Sequence, residues 1–112
     1  MRMLVCGGRE FSDKDQLYRV LDFYKPTFII SGAARGADTL AIEYAKDRKI
    51  PYKEYPADWK RYGNHAGHIR NKEMIILGLP DVVIAFTGGH GTENMIKQSK
   101  SHKIKIIIVP TT

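Results

Sequence analysis

The sequence predicts a single α/β domain with a Rossmann-like, doubly wound sheet: five mostly parallel strands in the order 3-2-1-4-5, with helices on both faces. Five short apolar segments alternate with longer segments of helical periodicity. The fourth and fifth of these, Val82–Phe86 and Ile106–Val109, are continuously apolar, which is typical of strands covered on both faces. A length of 112 residues with 43% hydrophobic residues suits one domain over residues 1–112.

The strands are predicted at the five apolar segments Met3–Cys6, Thr27–Ser31, Tyr52–Tyr55, Val82–Phe86 and Lys105–Val109. Strands that alternate with helices form a parallel sheet through right-handed crossovers. Such a sheet binds ligands beyond the carboxyl ends of its strands, where the strand order reverses. In the predicted order this point lies between the first and fourth strands.

The helices are predicted from apolar residues spaced three or four apart. The first helix carries the stripe Leu17, Val20, Leu21 and Tyr24, and the second carries Ala37, Leu40, Ala41, Tyr44 and Ala45. Ser12 is predicted as the N-cap of the first helix, with Asp15 completing a capping box. The third helix is expected at about Ala66–Leu77, and the fourth from near Thr92 to about His102.

The net charge, the lengths of the apolar runs and the cysteine content indicate the type of ligand and the compartment. The net charge of +6 favours anionic ligands, although lysines are equally typical of a solvated face. No apolar run approaches the roughly 18 residues needed to cross a bilayer, and the apolar stretch at the start is too short for a signal peptide, so no membrane association is expected. Cys6 is the single cysteine, which suits a cytoplasmic protein, and it is predicted to be a core residue.

Glycine-rich tracts follow three of the predicted strands and contain most of the ten glycines. They are Gly7-Gly8-Arg9, Gly32-Ala33-Ala34-Arg35-Gly36 and Gly88-Gly89-His90-Gly91-Thr92. All three should lie at one edge of the sheet, where glycine lets the backbone turn and lets a ligand approach closely. Each tract also leads into a helix, whose unpaired first amides attract anions. The alternative is that they are only tight turns between strand and helix.

The third tract is the best candidate for a phosphate site. The first helix begins with Ser12, Asp13 and Asp15, which already satisfy or neutralise its amino end. Gly88–Thr92 has no such groups, and the Thr92 hydroxyl can donate to a phosphate. Neither a Walker loop nor a Gly-x-Gly-x-x-Gly fingerprint is present.

Five side chains complete the predicted site. Arg9, Arg35 and Arg70 can each hold a phosphate with two hydrogen bonds, or can serve as exposed solubilising residues. Asn71 follows Arg70 in the sequence and is included with it. Trp59 either forms a wall on which a base stacks or is buried against the domain.

No metal or other cofactor is predicted. His65 and His68 are three residues apart and can share a helix face, but no third ligand is suitably spaced.

Four motifs occur in an order that resembles a known family. They are Gly7-Gly8-Arg9-x-Phe11, the run Ser31–Asp38, Ala66-Gly67-x-x-Arg70-Asn71-x-x-Met74 and Gly88-Gly89-x-Gly91-Thr92. The set resembles the SLOG superfamily, and within it the small YspA/YpsA-like members. The resemblance implies a Rossmann-like fold, a nucleotide-like small molecule as partner and a homo-oligomer. Other superfamily members are the Lonely-guy phosphoribohydrolases, the DNA-processing protein A family and sensors of nucleotide signals.

The resemblance also implies roles for single residues. Arg70 matches the substrate-site arginine of the hydrolases, and Gly88, Gly89, Gly91 and Thr92 match their phosphate loop. Thr87 stands where the hydrolases have proline. Met95 stands where they have the catalytic glutamate, and methionine cannot replace that carboxylate.

Three hypotheses follow. The first is a nucleotide-binding sensor or sequestering protein. The second is a nucleoside-phosphate hydrolase that uses Arg70 together with Glu10, Asp38 or Glu93, although Glu93 is turned about 200° from position 95 on a helix. The third is a single-stranded DNA-binding module, which the lysines and Trp59 suggest.

Overall fold

A computed structural model describes residues 1–111 and contains one five-stranded sheet with helices on both faces. The elements in chain order are β1 (Arg2–Gly7), α1 (Lys14–Tyr24), β2 (Phe28–Ser31), α2 (Ala37–Asp47), β3 (Tyr52–Glu54), α3 (Trp59–Tyr62), a 3-10 helix (Gly63–His65), α4 (Ala66–Ile76), β4 (Val82–Phe86), α5 (Gly89–Ser101) and β5 (Lys105–Val109). All neighbouring strands pair in parallel, in the order β3-β2-β1-β4-β5. The predicted fold class is therefore confirmed.

The core has two layers, one on each face of the sheet. Helices α1 and α2 cover one face, where Leu17 and Leu21 are buried in the same cluster as Phe86. Helices α4 and α5 cover the other face, where Met74 and Met95 are buried. Because the sheet is covered on both sides, strand β4, which pairs with β1 and β5, is buried along its whole length, as its continuous apolar run predicts.

Helix α1 begins one residue later than predicted, so the capping box of Ser12 and Asp15 is wrong. The carboxylate of Asp13 accepts a hydrogen bond from the amide of Gln16 at 3.0 Å. The carbonyl of Asp13 also accepts the first helical hydrogen bond, from the amide of Leu17. Asp13 is therefore the N-cap, and Ser12 lies outside the helix.

Helix α5 begins at Gly89, three residues before the predicted start at Thr92. Glycine disfavours the helix by up to about 1 kcal/mol per residue relative to alanine. A segment with several glycines is therefore predicted to be a loop. Gly88 and Gly89 turn the chain with φ values of 144° and 79°, and Gly89 is the first residue of the helix. The predicted phosphate loop is thus mostly the first turn of a helix.

The chain between β3 and α4 also differs from the prediction, because α3 and the 3-10 helix occupy residues 59–65. Such short helices have too few turns to show apolar periodicity in a sequence. Over residues 1–111, no helix combines the length and the hydropathy that a membrane crossing needs.

Candidate functional site

A cleft of about 730 Å³ opens at the carboxyl ends of β1 and β4, where the strand order reverses. Its volume lies within the roughly 300–1,000 Å³ of ordinary ligand sites. The predicted site residues that line it are Gly7, Gly8, Arg9, Glu10, Asp38, Trp59, Arg70, Asn71, Gly88, Gly89, His90, Gly91 and Thr92. Turns far apart in the sequence therefore meet at one place.

The amino end of α5 is free of capping side chains. Its N-cap is Gly88, and no side chain of residues 1–111 caps the helix. The first amides of an α-helix have no partner within the helix, and they carry the positive end of its dipole. Because Gly89, His90 and Gly91 line the cleft, this amino end is available to an anion that enters there.

The amino ends of the other two helices that follow glycine tracts are partly occupied. Asp13 caps α1 with its carboxylate. At α2, the amide of Ala34 donates to Asp38 Oδ2 at 3.3 Å, and the amide of Ala37 donates to the carbonyl of Gly8 at 3.3 Å. Among residues 1–111, no contact of this kind occupies the first amides of α5.

Gly91 has no structural reason to be glycine. Its φ is not positive, and a Cβ built on it meets no other atom within 4 Å. It lies in the first turn of α5, where alanine would favour the helix more strongly. The missing side chain leaves open space in the cleft beside the free amides.

Arg70 lies on the wall of the cleft and is held by three hydrogen-bond acceptors. Nε donates to Asn71 Oδ1 at 3.1 Å, and Nη1 donates to the carbonyls of Gly32 and Tyr55. Burial lowers the pKa of the guanidinium, and the negative charge of Asp38 opposes this shift. Among residues 1–111, Nη2 makes no hydrogen bond to the protein, which leaves it as a donor for a ligand.

Asp38 is a buried carboxylate close to Arg70. Burial raises the pKa of Asp38 to about 6, while Arg70 and the amide of Ala34 act in the opposite direction. Gly32 allows this arrangement, because a Cβ there would collide with the Arg70 guanidinium and the Asp38 carboxylate. Burial also raises the pKa of the Cys6 thiol far above its usual range, which agrees with a core role.

Asn71 connects α4 to the amino end of α5. Its side chain is buried, and Nδ2 donates to the carbonyl of Gly91 at 3.2 Å and to Asn94 Oδ1 at 3.0 Å. Its Oδ1 accepts from Arg70. Asn71 therefore positions both the free amides and the arginine, which makes it a positioning residue within the predicted set.

Trp59 lines the cleft with 48% of its surface exposed. A Cβ on Gly67 would lie 3.5 Å from the Trp59 ring, an ordinary van der Waals distance, so the indole packs close to this position of α4. The Arg9 guanidinium lies 5.6 Å from the centre of the ring, within cation–π range. Of the two alternatives for Trp59, the structure shows the exposed one.

Several predicted site residues lie outside the main cleft. Gly32, Ala33 and Gly36 do not line it, and Gly32 and Gly36 instead make close contacts inside the protein. Arg35 lines a shallower cavity beside the cleft.

The positions of Glu93 and Met95 on α5 bear on the hydrolase hypothesis. Glu93 is exposed, 3.7 Å from His90, and does not line the cleft, so the structure does not bring it together with Arg70 and Asp38. Two residues along a helix turn a side chain by about 200°, which directs Glu93 away from the buried side of α5. Met95 is fully buried in the core, so no carboxylate occupies the position at which the hydrolases carry theirs.

Some residues that line the cleft are not among the predicted ones. Asn64 and His68 line it together with Gly67, Asn71 and Met74. These positions are three or four residues apart, so they share one face of a helix. The spacing is visible in the sequence. However, polar residues at this spacing occur equally on a helix face that contacts only solvent, so the sequence does not identify them as cleft residues. No group of three or more His, Cys, Asp or Glu side chains in residues 1–111 is arranged to hold a metal ion.

The sheet order and the cleft at its switch point define a Rossmann-like α/β domain, the class that binds ligands at this edge. Within that class, the chain belongs to the YspA, cpYpsA-related SLOG family, whose model matches residues 1–62.

Individual proteins resemble the chain over nearly its whole length. The Gene 61 protein of Mycobacterium phage D29 is 29% identical over 118 residues, which cover 95% of this chain and 94% of that protein. DNA processing protein A from Streptococcus pneumoniae superimposes with a TM-score of 0.76 at 20% identity, and it covers 99% of this chain. The Moco carrier protein from Chlamydomonas reinhardtii superimposes with a TM-score of 0.64 at 12% identity. The match covers 98% of this chain and 76% of the carrier protein. The chain spans 50% of the DNA processing protein, and these two structures support the fold.

Proposed function

We propose that this protein binds a nucleotide or nucleotide-derived ligand by its phosphate group and acts as a sensor or sequestering protein. The observation that carries the proposal is the uncapped amino end of α5, which lies in the cleft with Gly91 bare of a side chain. A phosphate there accepts hydrogen bonds from backbone amides and is stabilised by the helix dipole.

The surroundings of that position suit the rest of a nucleotide. Arg70 supplies the free Nη2 donor from the wall of the cleft. The half-exposed ring of Trp59 offers a stacking surface for a base, and base stacking on aromatic rings contributes about 1–3 kcal/mol. An apolar and polar lining of this mixed kind is usual in small-molecule sites.

A hydrolase is the second candidate, and Asp38 is the observation that favours it. A carboxyl group with a pKa of about 6 in a cleft can give a proton to a leaving base near neutral pH. Water would then attack the anomeric carbon as the bond between base and sugar breaks, giving free base and a sugar phosphate. The buried Met95 removes the usual carboxylate from this reaction, so binding without turnover remains the first proposal.

The proposal is tested by the thermal stability of the protein with AMP and with adenosine. AMP at about 100 times its Kd is expected to stabilise the protein by about 2.7 kcal/mol. Adenosine, which lacks the phosphate, is expected to shift the melting temperature far less. Arg70→Ala should reduce the shift caused by AMP, while the control Arg19→Ala, an exposed residue on α1, should leave it unchanged.

Equal shifts with AMP and adenosine, or no shift with either, would contradict the proposal. Chromatography of the same AMP samples separates the two candidates. Release of free adenine that is lost in Asp38→Asn would favour the hydrolase, whereas intact AMP supports binding alone.

A nucleic-acid partner and a homo-oligomer stay predictions. The neighbour named as a DNA processing protein shares the fold, and the exposed Trp59 beside Arg9 suits a base of either a free nucleotide or a DNA strand. Strong salt dependence of binding would indicate the strand, because each neutralised phosphate releases counterions.

A further inference from the structure

A second cavity of about 390 Å³ lies beside the main cleft and is lined by Arg9, Ala34, Arg35 and Trp59. Three of these residues, Arg9, Ala34 and Trp59, also line the main cleft. The two cavities are therefore parts of one groove. The groove runs from the amino end of α5, past the indole ring, to the guanidinium of Arg35.

Arg35 projects from a loop that hydrogen bonds hold in place. Thr39 Oγ1 donates to the carbonyl of Ala34 at 2.7 Å, and the amide of Ala34 donates to Asp38 Oδ2 at 3.3 Å. Ala33 adopts a φ of 61°, a left-handed conformation that is strained for a residue with a side chain. Strained positions of this kind occur where a loop is held in one shape for a function, so Arg35 is presented at the groove in advance of any ligand.

Glu10 is the ion-pair partner of Arg35, and it is loosely held. The two side chains are 87% and 73% exposed, respectively, and exposed pairs contribute little to stability. The other acidic groups that line the cleft, Asp13 and Asp38, each accept a hydrogen bond from a backbone amide. Among residues 1–111, Glu10 has Arg35 as its only hydrogen-bond partner through the side chain, so a phosphate can displace it.

We propose that Arg9 and Arg35 form a second phosphate subsite, and that the ligand is a nucleotide with a phosphate group on each side of its nucleoside. This inference rests on the proposed function. One phosphate binds the amino end of α5, the nucleoside lies against Trp59, and the other phosphate replaces Glu10 at Arg35 and also contacts Arg9. Two arginine forks suit a phosphate monoester better than a neutral group, because each can form paired, charge-assisted hydrogen bonds.

The test compares AMP with pAp, the adenosine nucleotide that is phosphorylated on both sides of its ribose. Trp59 is the only tryptophan, so its fluorescence reports binding at the groove, and calorimetry gives the affinities. The wild-type protein is expected to bind pAp about tenfold more tightly than AMP, since the extra phosphate gains charge-assisted hydrogen bonds. Arg35→Gln should remove this advantage and leave AMP binding unchanged. Glu10→Gln should increase the advantage a few-fold, because it frees Arg35.

Two exposed residues serve as controls: Arg19→Gln and Glu73→Gln make the same charge changes on α1 and α4. A preference for pAp that survives Arg35→Gln, or equal affinities for AMP and pAp in the wild type, would overturn the second subsite alone. Absence of binding by either nucleotide would instead contradict the proposed function itself. A single-stranded oligonucleotide that binds far more tightly than pAp would overturn the assignment of a small ligand.

Discussion

Replacing Gly91 by alanine is expected to stabilise the free protein and to weaken its binding of nucleotides. Outside the backbone of α5 itself, a Cβ at this position meets no atom of residues 1–111 within 4 Å, so the fold accommodates it. Alanine also favours helix over glycine by about 0.5–1 kcal/mol, which would raise the melting temperature by roughly 2–8 °C. In the ligand-bound state, the same methyl group occupies the space that a phosphate needs beside the amides of α5.

The expected loss of affinity is at least about tenfold, because hydrogen bonds to a charged group contribute about 1.5–3 kcal/mol each. Thermal melts of the free protein and calorimetry with AMP measure the two effects separately. Ser101→Ala, at the exposed carboxyl end of α5, is the control for a change in helix propensity away from the cleft. Unchanged AMP binding in Gly91→Ala would show that the phosphate binds elsewhere.

Replacing Gly36 by alanine is expected to have the opposite effect on stability. Gly36 adopts φ 86° and ψ −131°, a conformation that side chains rarely allow. A Cβ there would also collide with the carbonyl of Gly8 and lie 2.7 Å from the carbonyl oxygen of Arg9. Both contacts are with backbone, which cannot move aside without displacing the turn after β1.

We expect Gly36→Ala to lower the free energy of unfolding by about 3 kcal/mol, the upper end for backbone strain, and the melting temperature by at least about 12 °C. Gly63→Ala is the matched control, because Gly63 also has a positive φ, of 55°, but a Cβ on it meets nothing within 4 Å. Chemical denaturation of both variants checks the difference. Equal destabilisation would mean that the contact between the second and first glycine tracts is not tight.

Gly91 and Gly36 illustrate which features of the site can be predicted from the sequence. Parallel strands place the ends of β1, β2 and β4 at one edge, so the meeting of three glycine tracts is predictable from apolar segments alone. The sequence indicates that the third tract is more open than the first, because acidic residues begin the first helix, but the contacts that occupy the second tract are not predictable. Gly36 packs against the carbonyls of the turn after β1, and the amide of Ala34 donates a hydrogen bond to Asp38. Gly91, by contrast, has open space where a side chain would lie.

The remaining differences have local causes. Asp13, rather than Ser12, caps α1, because both side chains can serve as caps and only the path of the chain decides between them. Glycines at the start of α5 predict a loop, although burial of Met95 stabilises a helix there. Arg70 is predictable as a candidate from its type, but its restraint by Asn71 requires the packing of α4 against α5.

The most direct measurement is a titration of the isotopically labelled protein with AMP, followed by two-dimensional NMR spectra of the backbone amides. If phosphate binds the amino end of α5, the amide signals of Gly89, His90 and Gly91 should move together and saturate, because their N–H groups become hydrogen-bond donors. The amides of Lys14 and Asp15, in the capped first turn of α1, should stay in place. Saturable shifts at α1 without shifts at α5 would contradict the account, as would titration of neither helix.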